Sequence, residues 1–194
     1  MCRAGLGIQF KALGATSPNW ESVVPSLLLA ELVTGELQKN LELLGIAPPR
    51  DVIYAEGMEP ITTLTTDTEK LYIDSDYDDI TELDQMRRRE ERYHGTTGKY
   101  WSSAGVVQKQ HPMKTLIDHE TGHLLAMRKM TQDDQKSWAK VVRSSLKRGW
   151  KAPTKTAYGG YNEMFAESYA LKKNGYGKML THDMNNFMDD ILKR

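Results

Sequence analysis

The sequence contains a single cysteine, Cys2, among its 194 residues. One cysteine excludes an intrachain disulfide framework and fits a reducing compartment. Long apolar runs are also missing: no stretch approaches the roughly eighteen consecutive apolar residues of a membrane span, and residues 1–20 lack the pattern of a signal peptide. We therefore expect no membrane partner and a location in the cytoplasm of the producing cell or in association with a virion.

An excess of charge of either sign is absent too, since 26 basic and 26 acidic side chains give a formal net charge of zero. This balance excludes a general electrostatic attraction to nucleic acid or acidic lipid. One basic helix face has no interleaved aromatic residues, and neither this face nor its C-terminal extension carries a recognised nucleic-acid motif, so we predict no nucleic-acid partner. The residues of this basic segment are Lys136, Lys140, Arg143, Lys147, Arg148, Lys151 and Lys155.

The length of the chain predicts one domain, because 194 residues suffice for one well-buried core and are too few for two. A small sheet of three consecutive predicted strands beside several predicted helices gives this domain an α+β fold. Residues 1–48 are expected to form an N-terminal arm, with a short strand around Ile8-Gln9-Phe10, and one helix. Residues 49–194 are expected to contain the sheet and the remaining helices.

Apolar spacing and turn residues place the individual elements. The charge run over 86–92 is typical of an exposed helix face, with His94-Gly95 closing that helix, and residues 99–110 read as a loop entering an extended segment. Strands are predicted over 51–55, 61–66 and 70–74, and helices over about 20–44, 79–93, 112–130, 131–148, 161–173 and 183–192.

The segment His119-Glu120-Thr121-Gly122-His123 lies inside one of these predicted helices. Two histidines four residues apart share one helix face, so both imidazoles can reach a single tetrahedral metal, and zinc suits this spacing best. Glu120 projects beside the same metal and can take a proton from a metal-bound water, which makes it a candidate general base. Because the pattern also arises by chance and in ordinary helix packing, the chain must supply a third ligand.

The penultimate predicted helix carries Glu163 and Glu167, which share one helix face. Glu163 can serve as the third protein ligand and leave the fourth position for water, while Glu167 accepts a hydrogen bond from the outward nitrogen of a ligating histidine. The alternative is that both are surface neighbours one turn apart. Phe165, Ala166 and Tyr169 indicate instead that this helix is packed.

Together, His119-Glu120-x-x-His123 and Asn162-Glu163-Met164-Phe165-Ala166-Glu167 resemble the gluzincin metallopeptidases. More narrowly, the Tyr-Gly loop that leads into Asn-Glu-x-Phe-Ala-Glu is similar to the catalytic domain of anthrax-lethal-factor-like proteases. It is also similar to the metallopeptidase domains of phage head-morphogenesis proteins. The resemblance covers roughly residues 50–175. It implies a zincin-like fold, in which a small β-sheet packs on the HExxH helix and on a glutamate helix.

By position, the resemblance implies zinc ligands at His119, His123 and Glu163, a general base at Glu120, and an oxyanion-binding phenol at Tyr158. Glu167 is the expected outer partner of a ligating histidine. The metzincin family is excluded, because its signature requires glycine at Ala126 and histidine at Lys129.

One departure from the family pattern concerns the tyrosine. The interval between Tyr158 and Glu163 is shorter than in lethal-factor-like domains, so Tyr161 is a rival for the oxyanion role. The two glycines, Gly159 and Gly160, favour Tyr158, because they give its loop freedom to move.

The function that these residues predict is a zinc-dependent endopeptidase acting on a protein or peptide substrate. Two alternatives remain: a phage structural or assembly protein that binds zinc without turnover, and a protease domain of a delivered toxin. Either would associate with a larger virion or toxin assembly. An intact Glu120 argues against the non-catalytic alternative, because a purely structural zinc site needs no base.

Overall fold

The protein is described by a computed structural model, which covers residues 9–10, 21–22, 25–56, 70–74 and 79–194. The chain divides into two compact units, Met1–Gln85 and Met86–Arg194, which are described in turn. The described residues form seven α-helices and a small sheet, which agrees with the predicted α+β class. The prediction of one domain over 1–194 stays a prediction. No described helix is both long and apolar enough to cross a membrane.

The first unit contains helix α1, Leu27–Leu44. It starts later than the predicted residue 20, because Ser26 caps it by accepting a hydrogen bond from the N–H of Leu29 at 3.2 Å. Gly45 ends it in the left-handed conformation, with φ at 60°. Apolar residues at the helical period are buried along one face of α1, at Leu29, Val33, Leu37, Leu41 and Leu44.

The sheet of the first unit is built on strand β3, Asp51–Glu56. Strand β4, Lys70–Asp74, runs parallel along it with Val52 opposite Leu71. Two short strands pair with the ends of β3: β1, Gln9–Phe10, in parallel and β2, Glu21–Ser22, antiparallel. The strands predicted over 51–55 and 70–74 are therefore confirmed, and the one over 61–66 lies outside the described residues.

Two predictions are corrected over residues 80–106, which begin in the first unit and continue into the second. Helix α2, Ile80–Thr97, continues through the predicted stop at His94-Gly95 and ends before Gly98, whose φ is 68°. The segment predicted to be extended contains a short helix, α3, Ser103–Val106. In the same segment, an isolated bridge joins Tyr100 to Thr154.

The remaining helices end within one residue of their predicted positions. Side chains cap the starts of the first two: His111 accepts a hydrogen bond from the N–H of Met113 at 3.2 Å, and Thr131 forms a capping box with Asp134. Burial lowers the pKa of His111, which keeps its ring neutral and able to accept. These helices are α4 (Pro112–Lys129), α5 (Gln132–Lys147), α6 (Tyr161–Lys173) and α7 (His182–Leu192).

Trp138 of α5 forms the centre of the packing between α5, α6 and α7. Its buried ring meets Phe165 edge to face at 5.3 Å, and its indole N–H donates to the carbonyl of Tyr161 at 2.8 Å. Leu146, near the end of α5, is 36% exposed. Ser145 is buried in its place, with its hydroxyl 2.9 Å from that of Thr181.

Candidate metal centre

The centre lies where α4 crosses α6, and Gly122 sets the distance between the two helices. A Cβ atom on Gly122 would lie 2.7 Å from the Cα of Ala166 and 3.1 Å from its carbonyl oxygen. Only glycine allows such a close approach of two backbones. Because Gly122 stands inside the HExxH segment, this crossing brings that segment directly against the helix that carries the two glutamates.

The two histidines converge at this crossing. The Nε2 atoms of His119 and His123 are 3.2 Å apart. The carboxylate of Glu163 spans the pair, with Oε2 at 3.3 Å from Nε2 of His119 and Oε1 at 3.4 Å from Nε2 of His123. Zinc bonds of about 2.0–2.1 Å in a tetrahedron place neighbouring ligand atoms about 3.3–3.4 Å apart. The spacing and chemistry of these three donors therefore fit zinc.

Two carboxylates lie near the histidine pair. Glu120 is buried, and its carboxylate belongs with His119 and His123 to a group of donor atoms within 4.8 Å of one another. Glu163 directs one oxygen to each histidine, at 3.3 and 3.4 Å. Both carboxylates can therefore take part in a metal site, and the division of roles into ligand and base stays a prediction.

Glu167 lies on the opposite side of the His119 ring. Its Oε1 is 2.8 Å from Nδ1 of His119, although the ring N–H is not aimed squarely at that oxygen. The Ser103 hydroxyl donates to the same oxygen at 3.2 Å. Glu167 is 2% exposed. A carboxylate at this distance from Nδ1 favours the tautomer that leaves Nε2 free to bind a metal.

The electrostatics of the centre favour a cation between these carboxylates. Burial alone would lower the pKa of His119, but the carboxylates of Glu163 and Glu167 raise it well above its ordinary range. Hydrogen bonds from His119 and His123 in turn hold the pKa of Glu163 well below its usual value. The carboxylates therefore stabilise positive charge on the imidazoles, at the place where a divalent metal would carry it.

The segment predicted as a loop before α6 is a single 3₁₀ turn, Thr156–Gly159. It borders the centre, because a Cβ atom on Gly159 would lie 3.2 Å from Cγ of Glu163. Tyr158 is 47% exposed, and its hydroxyl oxygen accepts from the N–H of Ala152 at 3.0 Å and from Nζ of Lys99 at 3.3 Å. Both contacts leave the phenolic proton to be donated elsewhere.

Tyr161 is the first residue of α6 and is 41% exposed. Its ring lies 5.9 Å from the guanidinium carbon of Arg143. The structure thus brings His119, Glu120, His123, Glu163 and Glu167 together. It places Tyr158 on the adjoining turn, with its hydroxyl on Ala152 and Lys99, and the choice between the two tyrosines stays a prediction.

Sequence reasoning missed Glu90, which lies in the charge run expected to be exposed. It is 5% exposed and accepts hydrogen bonds from the backbone N–H of Trp101 at 2.7 Å and from the N–H and hydroxyl of Ser102 at 3.1 and 2.7 Å. Burial raises its pKa. By holding the start of α3, Glu90 positions the neighbouring Ser103 against Glu167. Its partners lie more than ten residues away, so no local pattern reveals it.

Asp118, the residue before the first histidine, was also missed. It is fully buried, forms an ion pair with Lys173, and accepts from the side-chain amides of Asn174 at 2.7 Å and Gln110 at 3.2 Å. These contacts join α4 to the C-terminal end of α6. A charged residue within the apolar stretch of α4 is the signal that could have identified it.

Comparisons with protein-family models, curated proteins and solved structures found no match to this chain. The resemblance to gluzincins therefore rests on the two motif segments that meet at this crossing. The activity that it implies is a proposal.

Proposed function

We propose that this chain is a zinc-dependent endopeptidase of the gluzincin type, with a zincin-like fold. The observation that supports the proposal is the convergence of three side chains: the Nε2 atoms of His119 and His123 lie 3.2 Å apart, and the two oxygens of the Glu163 carboxylate lie 3.3 and 3.4 Å from them, one oxygen to each histidine. Three protein donors at these separations leave one tetrahedral position for water or substrate, which is the arrangement of a catalytic zinc site.

A zinc ion held there would polarise the scissile carbonyl and lower the pKa of a water molecule toward neutrality. Glu120 takes the proton from the attacking water and delivers it to the leaving amine, so that the peptide bond is exchanged for a carboxylate and an amine. Glu167 holds the ring of His119, and Tyr158 donates a hydrogen bond to the developing oxyanion.

The position of Glu120 supports turnover over a purely structural zinc site. Its side chain is buried beside the histidine donors. Burying a carboxylate costs free energy. A purely structural zinc site gains nothing from a buried carboxylate that does not bind the metal. This favours the peptidase over the phage structural alternative, while a toxin protease domain would share the same chemistry and differ only in its target.

The proposal is tested by measuring the zinc content of the purified chain and its cleavage of an unbiased peptide library. We expect Glu120→Gln to keep the zinc and the fold and to lose about a thousandfold or more in turnover, because the substitution removes the base and leaves the ligands. Glu31→Gln, an exposed glutamate of α1, is the matched control. Wild-type protein that binds zinc and cleaves nothing would contradict the proposal and favour the non-catalytic alternative.

A further inference from the structure

A second feature of the Met86–Arg194 unit lies beside the centre. The ammonium of Lys155 sits 3.6 Å from the centroid of the Trp101 ring and 5.8 Å from that of Tyr93, and these two rings meet edge to face at 5.4 Å. The ammonium of Lys99 sits 4.5 Å from the centroid of the Tyr158 ring. We call these five residues the lysine–aromatic surface.

The backbone holds the two segments that form this surface together. The N–H of Tyr100 donates to the carbonyl of Pro153 at 3.2 Å, and the N–H of Lys155 donates to the carbonyl of Tyr100 at 2.9 Å. Thr156 adds a bond from its own N–H to the carbonyl of Trp101, also at 2.9 Å. The lysines are therefore set over the rings by main-chain pairing, and binding need not order the segments first.

The positive charge of the surface is available to a partner. Among the described residues, no carboxylate lies within salt-bridge distance of Lys99 or Lys155, whereas Lys136 of α5 is paired with Asp133 at 2.9 Å. Trp101 is 43% exposed and Tyr158 47% exposed. Exposed aromatic rings that carry unneutralised ammonium groups fit a ligand with both carboxylates and apolar groups.

The surface adjoins the candidate centre along both of its segments. Lys155 directly precedes the 3₁₀ turn Thr156–Gly159, and Tyr158 belongs to it. Gly159 of the same turn packs on Glu163. Trp101 is two residues from Ser103, which donates to Glu167. A chain bound across the centre in an extended conformation would therefore continue over this surface.

We propose that the lysine–aromatic surface binds acidic side chains of the polypeptide that the centre cleaves. The inference rests on the proposed peptidase function and names its substrate class as acidic peptide segments. The net charge of zero and the position beside the centre favour a polypeptide over a nucleic acid. Contact with carboxylates neutralises the two ammonium groups, and the rings pack against the apolar parts of the peptide.

Binding is measured on zinc-loaded, full-length Glu120→Gln protein by fluorescence anisotropy. The probes are three labelled peptides of one sequence that carry glutamate, glutamine or lysine at the same positions, and a labelled single-stranded DNA of equal length. We expect the glutamate peptide to bind most tightly. Lys99→Ala and Lys155→Ala should each weaken its binding about two- to fivefold, with a smaller effect on the glutamine peptide.

Lys155→Arg should retain the binding, because guanidinium keeps the charge and the contact with the rings. The matched control is Lys136→Ala, which removes a lysine already paired with Asp133 and should leave the affinity unchanged. Circular dichroism and zinc content verify that each variant is folded. Equal affinity for the three peptides, or an unchanged affinity in the Lys99→Ala/Lys155→Ala double variant, would overturn the inference. So would tighter binding of the DNA, which would identify a nucleic-acid surface.

The two proposals fail separately. A wild-type protein that cleaves library peptides without regard to acidic residues overturns the substrate class and leaves the peptidase intact. Glutamate-dependent binding without any cleavage by the wild type overturns the peptidase, and with it the assignment of the bound peptide as a substrate.

Discussion

The two sides of the candidate centre are held in different ways. On one side, His119 and Glu167 are 6% and 2% exposed, on two helices whose backbones touch at Gly122. On the other side, Tyr158 is 47% exposed on a single 3₁₀ turn. His119 and its outer partner Glu167 are thus fixed by helix packing, and the tyrosine proposed to meet a substrate lies on a short exposed segment.

The largest effect is expected on the packed side. His123→Ala and Glu163→Ala each remove one of three proposed ligands, so we expect purified protein to lose its zinc. Glu167→Ala removes only the outer partner of His119 and should weaken zinc binding about ten- to hundredfold. Elemental analysis measures the zinc content of each variant, and titration against a competing chelator measures its zinc affinity. Unchanged zinc content in Glu163→Ala, with loss in Glu167→Ala, would exchange the roles of the two glutamates.

On the exposed side, Tyr158→Phe should lower turnover about a hundredfold with little change in KM, because the phenol donates to charge that develops only in the transition state. Zinc content should not change, since the ring is not a ligand. Steady-state kinetics of Tyr158→Phe and Tyr161→Phe in parallel decide between the tyrosines. A large loss in the second variant and none in the first would assign the role to Tyr161.

The affinity for zinc should fall as the pH falls. In metal-free protein the pKa of His119 is raised well above its ordinary range, so at neutral pH the ring holds a proton that zinc must displace. Each displaced proton weakens binding about tenfold for each unit by which the pH drops below that pKa. Calorimetry in buffers of different ionisation enthalpy counts the released protons. Binding without proton release would show that the carboxylates do not hold His119 protonated.

The smallest effect is expected from a substitution at the crossing of α4 and α6. Gly122→Ala forces α4 away from Ala166 and should cost about 1–3 kcal/mol of unfolding free energy, with some loss of zinc affinity as Glu163 moves away. Gly95→Ala in α2 is the control, because apart from the nearby backbone of its own helix no described atom lies within 4 Å of its Cβ position. It should stabilise the protein by roughly 0.5–1 kcal/mol. Chemical denaturation measures both, and equal effects would mean that the crossing does not need glycine.

Sequence reasoning succeeded where local signals were strong. Pro112 and the Asn174-Gly175 pair mark the limits of α4 and α6, and the four-residue spacings place both histidines and both glutamates on single helix faces. It failed for α3, because the start of that helix is held by hydrogen bonds from the N–H groups of Trp101 and Ser102 to Glu90, which lies on a different helix. It also dismissed aromatic contacts for Lys155, since Tyr93 and Trp101 are distant in the chain.

The sequence by itself determined which residues can form a metal site, because the helical period decides which side chains share a face. It determined the limits of α4 and α6 for the same local reason. Only the tertiary structure decided that the two faces meet, through the backbone contact at Gly122, and that Glu163 spans both histidines. It also decided which charges are buried or exposed, because burial depends on elements that pack together from distant parts of the chain.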